Sequence, residues 1–238
     1  MTEVKPREQL RRMIAERDVQ GLLNRTAEIH GHYCPGMSAG VKASCIGYER
    51  LGITDHQGME DVMAVVECNN CFVDGIQAVS GCTFGNNAMI YRDLGKTAVT
   101  FFRRGQDKGV RIALKDFFPR GEEWEAKDEA DRLFDRAVKE RKELTEEEHE
   151  RFMELWKEAA FRLMECPDEE VFSIRQVTPQ APEYAPIFES VECSECGESV
   201  METRVRMRNG QPVCMSCADE RHWLVDGSGI KMSGQRKK

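Results

Sequence analysis

No apolar run in the 238 residues approaches the roughly 20 needed to span a bilayer. The opening stretch, MTEVKPREQLRRMIAERD, is charged and holds no apolar signal core, so no secretion signal is read there and a cytoplasmic location is expected. Positive charge is in deficit: 34 Lys and Arg face 42 Asp and Glu, a net charge of −8. The chain as a whole therefore lacks the basic footprint of a nucleic-acid binder. The phosphate-loop spacing with its Lys-Ser/Thr is also missing. These absences argue against membrane and nucleic-acid partners. With 40% hydrophobic and 32% charged residues the composition suits an ordinary globular chain. Its length allows one substantial core plus an appendage, or two modest domains.

Cysteine is abundant, at 10 residues, and it is clustered. In a cytoplasmic chain such clusters read as metal ligands or reactive thiols rather than disulfides. Cys193-x2-Cys196 and Cys214-x2-Cys217 form two pairs separated by 17 residues. Structural zinc wants four tetrahedral ligands, and each CxxC turn supplies two thiolates. Between the pairs, Asn209-Gly210 signals a hairpin. After the second pair, ADERHWLV is expected to start a helix, with His222 in a surface or packing role rather than as a competing ligand. Knuckle, hairpin, knuckle, helix is the treble-clef order. Four cysteines leave no open position, so this zinc is structural and supplies the folding energy of a module too small to fold by burial alone. Arg204, Arg206 and Arg208 alternate on the hairpin, but interleaved acidic residues favour a protein contact over nucleic acid. The basic tail, Gln-Arg-Lys-Lys, is expected to be disordered.

TPQAPEYAPIFES carries three prolines and reads as the linker. The boundary is placed near it, giving a core domain over 1–180 and a finger over 181–238. In the core, residues 7–29 have a helical pattern weakened at Gly21, which predicts two short helices. A helix of small residues (Ser38, Ala39, Gly40, Ala43, Ser44, Gly47) follows from Met37. Small residues admit another backbone closely, so deep packing is expected. DVMAVVEC is a strand, CFVDGIQAVSG a short helix and GCTFGNN a loop. KTAVTFFRR and GVRIALKDFF form a hairpin, residues 121–165 a charged helical segment, and EVFSIRQV a last strand. The fold class is α+β: a mixed or antiparallel sheet packed with helices, plus the small zinc finger.

The stretch IHGHYCPGM, residues 29–37, carries chemistry. Pro35 suits the first position of a helix, which makes Cys34 its N-cap. A thiol there feels the helix dipole, and its pKa is expected to fall. If the preceding residues are extended, His30, His32 and Cys34 project to one side. Two imidazoles and a thiolate suit a second transition metal, such as Zn, Ni or Fe, and three ligands leave a position open. A turn that merely caps and packs is the alternative. A second cluster supplies Cys68, Cys71, Asp74, Gln77 and Cys82, with Cys71 or Cys82 able to help hold the metal. In a catalytic reading Cys34 is the nucleophile, His30 or His32 the base, and Asp74 the orienting carboxylate.

HGHYCPG, the small-residue helix, CFVDGIQAVSGCTFGNN and DLGKTAVTF together resemble the FmdE family, which takes its name from a component of formylmethanofuran dehydrogenase, over roughly residues 20–115. The resemblance implies a dimeric α+β core with a cavity lined by His30, His32, Cys34, Cys71, Asp74, Gln77 and Cys82. It also implies that a C-terminal finger is an accessory of some members. Where many members carry a lysine after Gly-Cys-Thr-x-Gly, this chain has Asn86 and Asn87. The chain has no ferredoxin-like cysteine run and nothing recognisable for a pterin, so formylmethanofuran chemistry is not assigned to it. The expectation is a metal-binding accessory of a molybdenum or tungsten redox enzyme of one-carbon metabolism, or of metal handling, with a component of that enzyme as partner. An enzyme in its own right and a regulatory protein acting through the finger are the alternatives.

Overall fold

The computed structural model describes residues 7–54, 60–115 and 124–233. The chain divides into two compact units, Met1–Ala181 and Pro182–Lys238, and the division falls inside the proline-rich stretch.

The first unit opens with α1 (Glu8–Glu16) and α2 (Val19–His30). The break between them lies at Arg17–Asp18, ahead of the expected Gly21. Arg17 turns left-handed at φ 52°, and the Asp18 carboxylate caps α2 by accepting from Gly21 N at 2.9 Å. Gly21 serves this cap, because a Cβ there would sit 2.9 Å from Asp18 Cγ. α3 (Pro35–Arg50) follows, with Cys34 as its N-cap and Pro35 in its first turn. Next come β1 (Val62–Val66), α4 (Cys71–Ser80), β2 (Met89–Tyr91), β3 (Ala98–Arg103) and β4 (Gly109–Leu114). α5 (Lys127–Phe134) runs into a π-helical turn, and α6 (Glu146–Glu165) starts on a Thr145–Glu148 capping box. α7 (Asp168–Val171) leads into β5 (Phe172–Val177). Part of the expected helical segment, 121–123, lies outside the described residues, as do Phe117 and Phe118 of the expected hairpin and the basic tail beyond 233.

The sheet order is β2-β1-β3-β4-β5, with β2 parallel to β1 and every other pair antiparallel. The three-residue β2 is too short to carry a period, which is why sequence pattern alone misses it. The core lies between this sheet and the helices, around Phe72, Phe101, Phe102, Ile112 and Phe172.

α3 is buried along most of its length and packs on α4 through glycine. A Cβ on Gly40 would lie 2.9 Å from Gly75 Cα, and one on Gly75 would lie 2.6 Å from Val41 N. Backbone meets backbone, with no flexible side chain to yield. At the far end Tyr48 Oη donates to the Ser80 carbonyl at 2.7 Å, tying the two helices again. The buried Lys42 ammonium donates to the carbonyls of Met164 (2.9 Å) and Cys166 (2.7 Å) and pairs with Asp168 at 3.0 Å. All three protons are used, so this lysine is a structural cap on the end of α6.

Among the described residues, the second unit forms three hairpins: β6 (Ser190–Glu192) with β7 (Ser199–Met201), β8 (Val205–Arg208) with β9 (Gln211–Cys214), and β10 (Trp223–Asp226) with β11 (Gly229–Met232). Asn209 and Gly210 both take positive φ between β8 and β9, as the Asn-Gly pair predicts. The helix expected after the second knuckle does not form. Asp219 adopts a left-handed φ of 53°, and Trp223–Asp226 pairs with Gly229–Met232 across an Asp-Gly-Ser turn. The order is knuckle, hairpin, knuckle, hairpin, which departs from a treble clef.

Gly40→Ala tests the helix contact. Helix propensity alone would favour alanine by about 1 kcal/mol. The clash with the α4 backbone is expected to outweigh this and cost about 2 kcal/mol or more, lowering Tm in a circular-dichroism melt. An unchanged or raised Tm would mean that the two backbones are not in contact.

Candidate metal centres

Among the described residues two donor groups emerge, one in each unit. In the finger, the sulfurs of Cys193, Cys196, Cys214 and Cys217 all lie within 4.8 Å of one another. Cys196 Sγ and Cys214 Sγ are 4.0 Å apart, close to the ~3.8 Å edge of a tetrahedron with zinc–sulfur bonds of about 2.3 Å. The backbone N–H groups of Cys214 and Cys217 point at the sulfurs of Cys193 and Cys214, each at 3.3 Å. The Cys214 amide and its neighbours pull the Cys193 thiol down to about 6, toward the thiolate that a metal requires. His222 stands outside the group, and its amide donates to Ser233 Oγ.

In the core, the donors are His30, Cys34 and Cys71, again within 4.8 Å of one another. His30 is the last residue of α2, and its Nε2 is 3.4 Å from Cys34 Sγ. Cys34 caps α3 and accepts from Met37 N at 3.3 Å. Cys71 is the first residue of α4, behind the Asn70 cap. Two helix N-termini thus present one thiol each to the same point. Asp74, one turn along α4, lies 2.7 Å from His30 Nδ1. The carboxylate fixes the ring so that Nε2 turns its lone pair to the sulfurs, the usual support of a metal-bound imidazole. Gln77, a further turn on, reaches Asp74 at 3.5 Å.

The set differs from the expected one in three ways. His32 is outside the donor group, because His30 is helical and Gly31 turns left-handed at φ 90°, so residues 30–34 are not one extended run. Instead the His32 ring lies 4.5 Å from that of His30, tilted by 36°, and partial burial followed by its neighbour's charge lowers its pKa. It lines an open groove with Tyr33, His149 and Lys157. Cys71 takes the third place. Its signal in the sequence is the Asn-Cys pair that opens a helix.

Secondly, Cys34 is not activated by its helix N-terminus alone: it titrates together with Cys71. The hydrogen bond from Cys34 is the largest influence bringing Cys71 down to about 6, and the same bond together with burial raises Cys34. The two titrate as a pair that releases its first proton easily and its second with difficulty.

Thirdly, Cys82 and Cys68 belong to the core packing. Cys82 is fully buried and donates to the Val62 carbonyl at 3.3 Å, and Cys68 lies 3.4 Å from Asn70 Oδ1. Asn86 holds its own loop together, accepting from the Thr83 and Ala88 amides and donating to the Gly81 carbonyl.

Two thiols and an imidazole, backed by a carboxylate, make a donor set suited to a transition metal such as zinc. With three protein donors, a fourth position stays available to solvent or ligand. The fold and the two donor groups define an α+β core with a Cys/His centre, followed by a four-cysteine zinc finger. Residues 29–173 match the family described as "FmdE, Molybdenum formylmethanofuran dehydrogenase operon", and the chain belongs to it. Residues 186–221 match "Prokaryotic dksA/traR C4-type zinc finger". A protein of Archaeoglobus fulgidus described as "Probable S-adenosyl-L-methionine-binding protein" is 39% identical over 224 residues, spanning 91% of this chain and 57% of that relative. The chain thus spans little more than half the length of the curated relative it matches. The solved structure of an FmdE-like protein of the tungsten formylmethanofuran dehydrogenase type, from Syntrophus aciditrophicus, aligns with a TM-score of 0.54 at 20% identity, covering 84% of this chain and 91% of that one. It shares the fold. Among the described residues, no helix is long and apolar enough to cross a membrane.

In metal-free, reduced protein, Cys71 is expected to alkylate readily at pH 7, above its pKa of about 6. Cys34→Ala removes the thiol that donates to it and leaves no donor in its place, so the Cys71 pKa should rise and its alkylation at pH 7 should slow. Thiolate absorbance followed against pH, with mass-spectrometric site mapping, checks both. Preferential labelling of Cys34 in the wild type would reverse the assignment.

Proposed function

We propose that this chain is a cytoplasmic metal-binding accessory protein. Its core centre of His30, Cys34 and Cys71 holds one transition metal, Zn, Ni or Fe, and the finger holds a structural zinc. The observation that carries the reading is the convergence of three soft and borderline donors on one point, with Asp74 orienting the imidazole. A family described by the molybdenum formylmethanofuran dehydrogenase operon supports service to a molybdenum or tungsten redox enzyme, as a bound partner or through metal handling. The protein acts as a homodimer in this reading. The ligand in the Archaeoglobus relative's description is not carried over to the core, because the chain spans only 57% of that relative.

A thiol-based reaction is the second reading, favoured by the depressed pKa of Cys71. It moves the nucleophile from Cys34 to Cys71, with His30 and Asp74 as base and orienting group and His32 at the mouth.

Elemental analysis of the full chain, purified reduced and without chelator, separates these. Two metals per chain are expected. Cys34→Ser/Cys71→Ser should leave one, and Cys193→Ser/Cys196→Ser should leave the other. Asp74→Asn should weaken the core metal by about 10–100-fold in a competition titration. A wild-type chain with one metal, lost with the finger cysteines, would overturn the metal-binding reading of the core and leave the thiol reaction.

A further inference from the structure

We propose that the first unit contains a second ligand site, separate from the metal centre, for a small anion on an apolar body, a carboxylate or a phosphate ester. It is a cavity of about 410 Å³ between α1 and the C-terminal end of α3. That volume lies within the range of small-molecule pockets. Cys34 and Tyr48 stand 14 positions apart on α3, so the cavity lies roughly 21 Å along the helix from the metal centre.

Its walls have two characters. Ile14, Ala15, Ile53 and the Tyr48 ring supply apolar surface, and Arg7, Arg11 and Arg17 supply positive charge. Arg17 lies at the rim, where it is largely exposed and answered by Glu49 at 2.9 Å. The inner cation is different. Arg7 Nη2 donates to the Val79 carbonyl at 2.7 Å, and the guanidinium lies over Gly81, where a Cβ would come within 2.6 Å of Arg7 Cζ. Gly81 therefore both turns α4 at φ 71° and leaves room for this side chain. Arg7 Nε is buried and has no hydrogen-bond partner, and among the described residues no carboxylate pairs with Arg7.

Capping α4 accounts for one N–H of Arg7. It does not account for the orphaned Nε. Burial, and to a smaller extent the charges of Arg11 and Arg25, lower the Arg7 pKa against the opposing influence of Tyr48 and Cys82. A partly buried cation without a counter-ion carries a desolvation cost, and an anion entering the cavity reduces that cost while covering the apolar wall. Lys42 is the control within the same unit: a buried cation with all three donors satisfied, it needs no ligand.

The test uses the full chain and a fluorescent amphipathic anion, 8-anilinonaphthalene-1-sulfonate, with octanoate and hexyl phosphate as competitors. One probe per chain should bind and be displaced by one or both competitors, which tells carboxylate from phosphate. Arg7→Met should weaken binding by about tenfold or more, as loss of a charged hydrogen-bonding partner does. Ala15→Trp should block the mouth to similar effect without removing charge, so it decides the matter if Arg7→Met does not fold. Metal content should stay at the wild-type value in both variants, which keeps this outcome independent of the core metal. Probe binding unchanged in folded Ala15→Trp, or probe that neither competitor displaces, would overturn the proposal.

Discussion

The contact on which the rest depends is backbone against backbone, where Gly40 of α3 meets Gly75 of α4. No other residue fits at either position without pushing the helices apart. The close approach fixes where both helices begin. Cys34 caps one and Cys71 opens the other, so two thiols arrive together at the positive ends of two helix dipoles. His30 comes from a third element, the end of α2, and Asp74 is one turn beyond Cys71 on α4. The centre is thus a consequence of packing: a spacing of helices set by glycine decides which donors can share a point. The Tyr48–Ser80 hydrogen bond holds the other end, near the cavity beside Arg7.

Charges inside the first unit fall into two groups. Lys42 is surrounded by acceptors. Glu67 and Arg111 form a bidentate pair at 2.7 Å and 2.7 Å across the sheet, and Arg111 holds the Glu67 carboxyl below its ordinary range. These groups are satisfied, and their roles end with the fold. The Cys34–Cys71–His30 cluster and the Arg7 cavity are not satisfied in that way. Thiols that share one hydrogen bond and a guanidinium nitrogen with no partner keep bonding capacity in reserve. The two donor groups differ in the same sense: the finger gathers four sulfurs, enough to close a zinc site, whereas the core gathers three donors.

Much of the architecture was legible along the chain. The CxxC spacing specified the zinc site, since thiolates held by one tight turn have little other use. Proline and the N-capping cysteine marked the start of α3, and its run of small residues implied a close neighbour. The strands β1, β3, β4 and β5 carried enough length to show their pattern. The three-residue β2 did not, and neither did the last hairpin. ADERHWLV has the charges of a helix start, but Asp219 prefers a left-handed turn and Trp223-Leu-Val prefers a strand once Gly229–Met232 is available to pair with it.

Sequence by itself therefore determined the ligand inventory, the family and the α+β class, because residue type, local spacing and turn chemistry are properties of neighbours in the chain. Tertiary structure decided which ligands meet. His32 is two residues from both His30 and Cys34, yet a left-handed glycine turns it into a groove. Cys71 is far from both in sequence and joins them, because two helices without side chains at their crossing bring its N-terminus to theirs. That the two thiols titrate as one pair was likewise decided in space, by the meeting of residues 34 and 71 that no local pattern encodes.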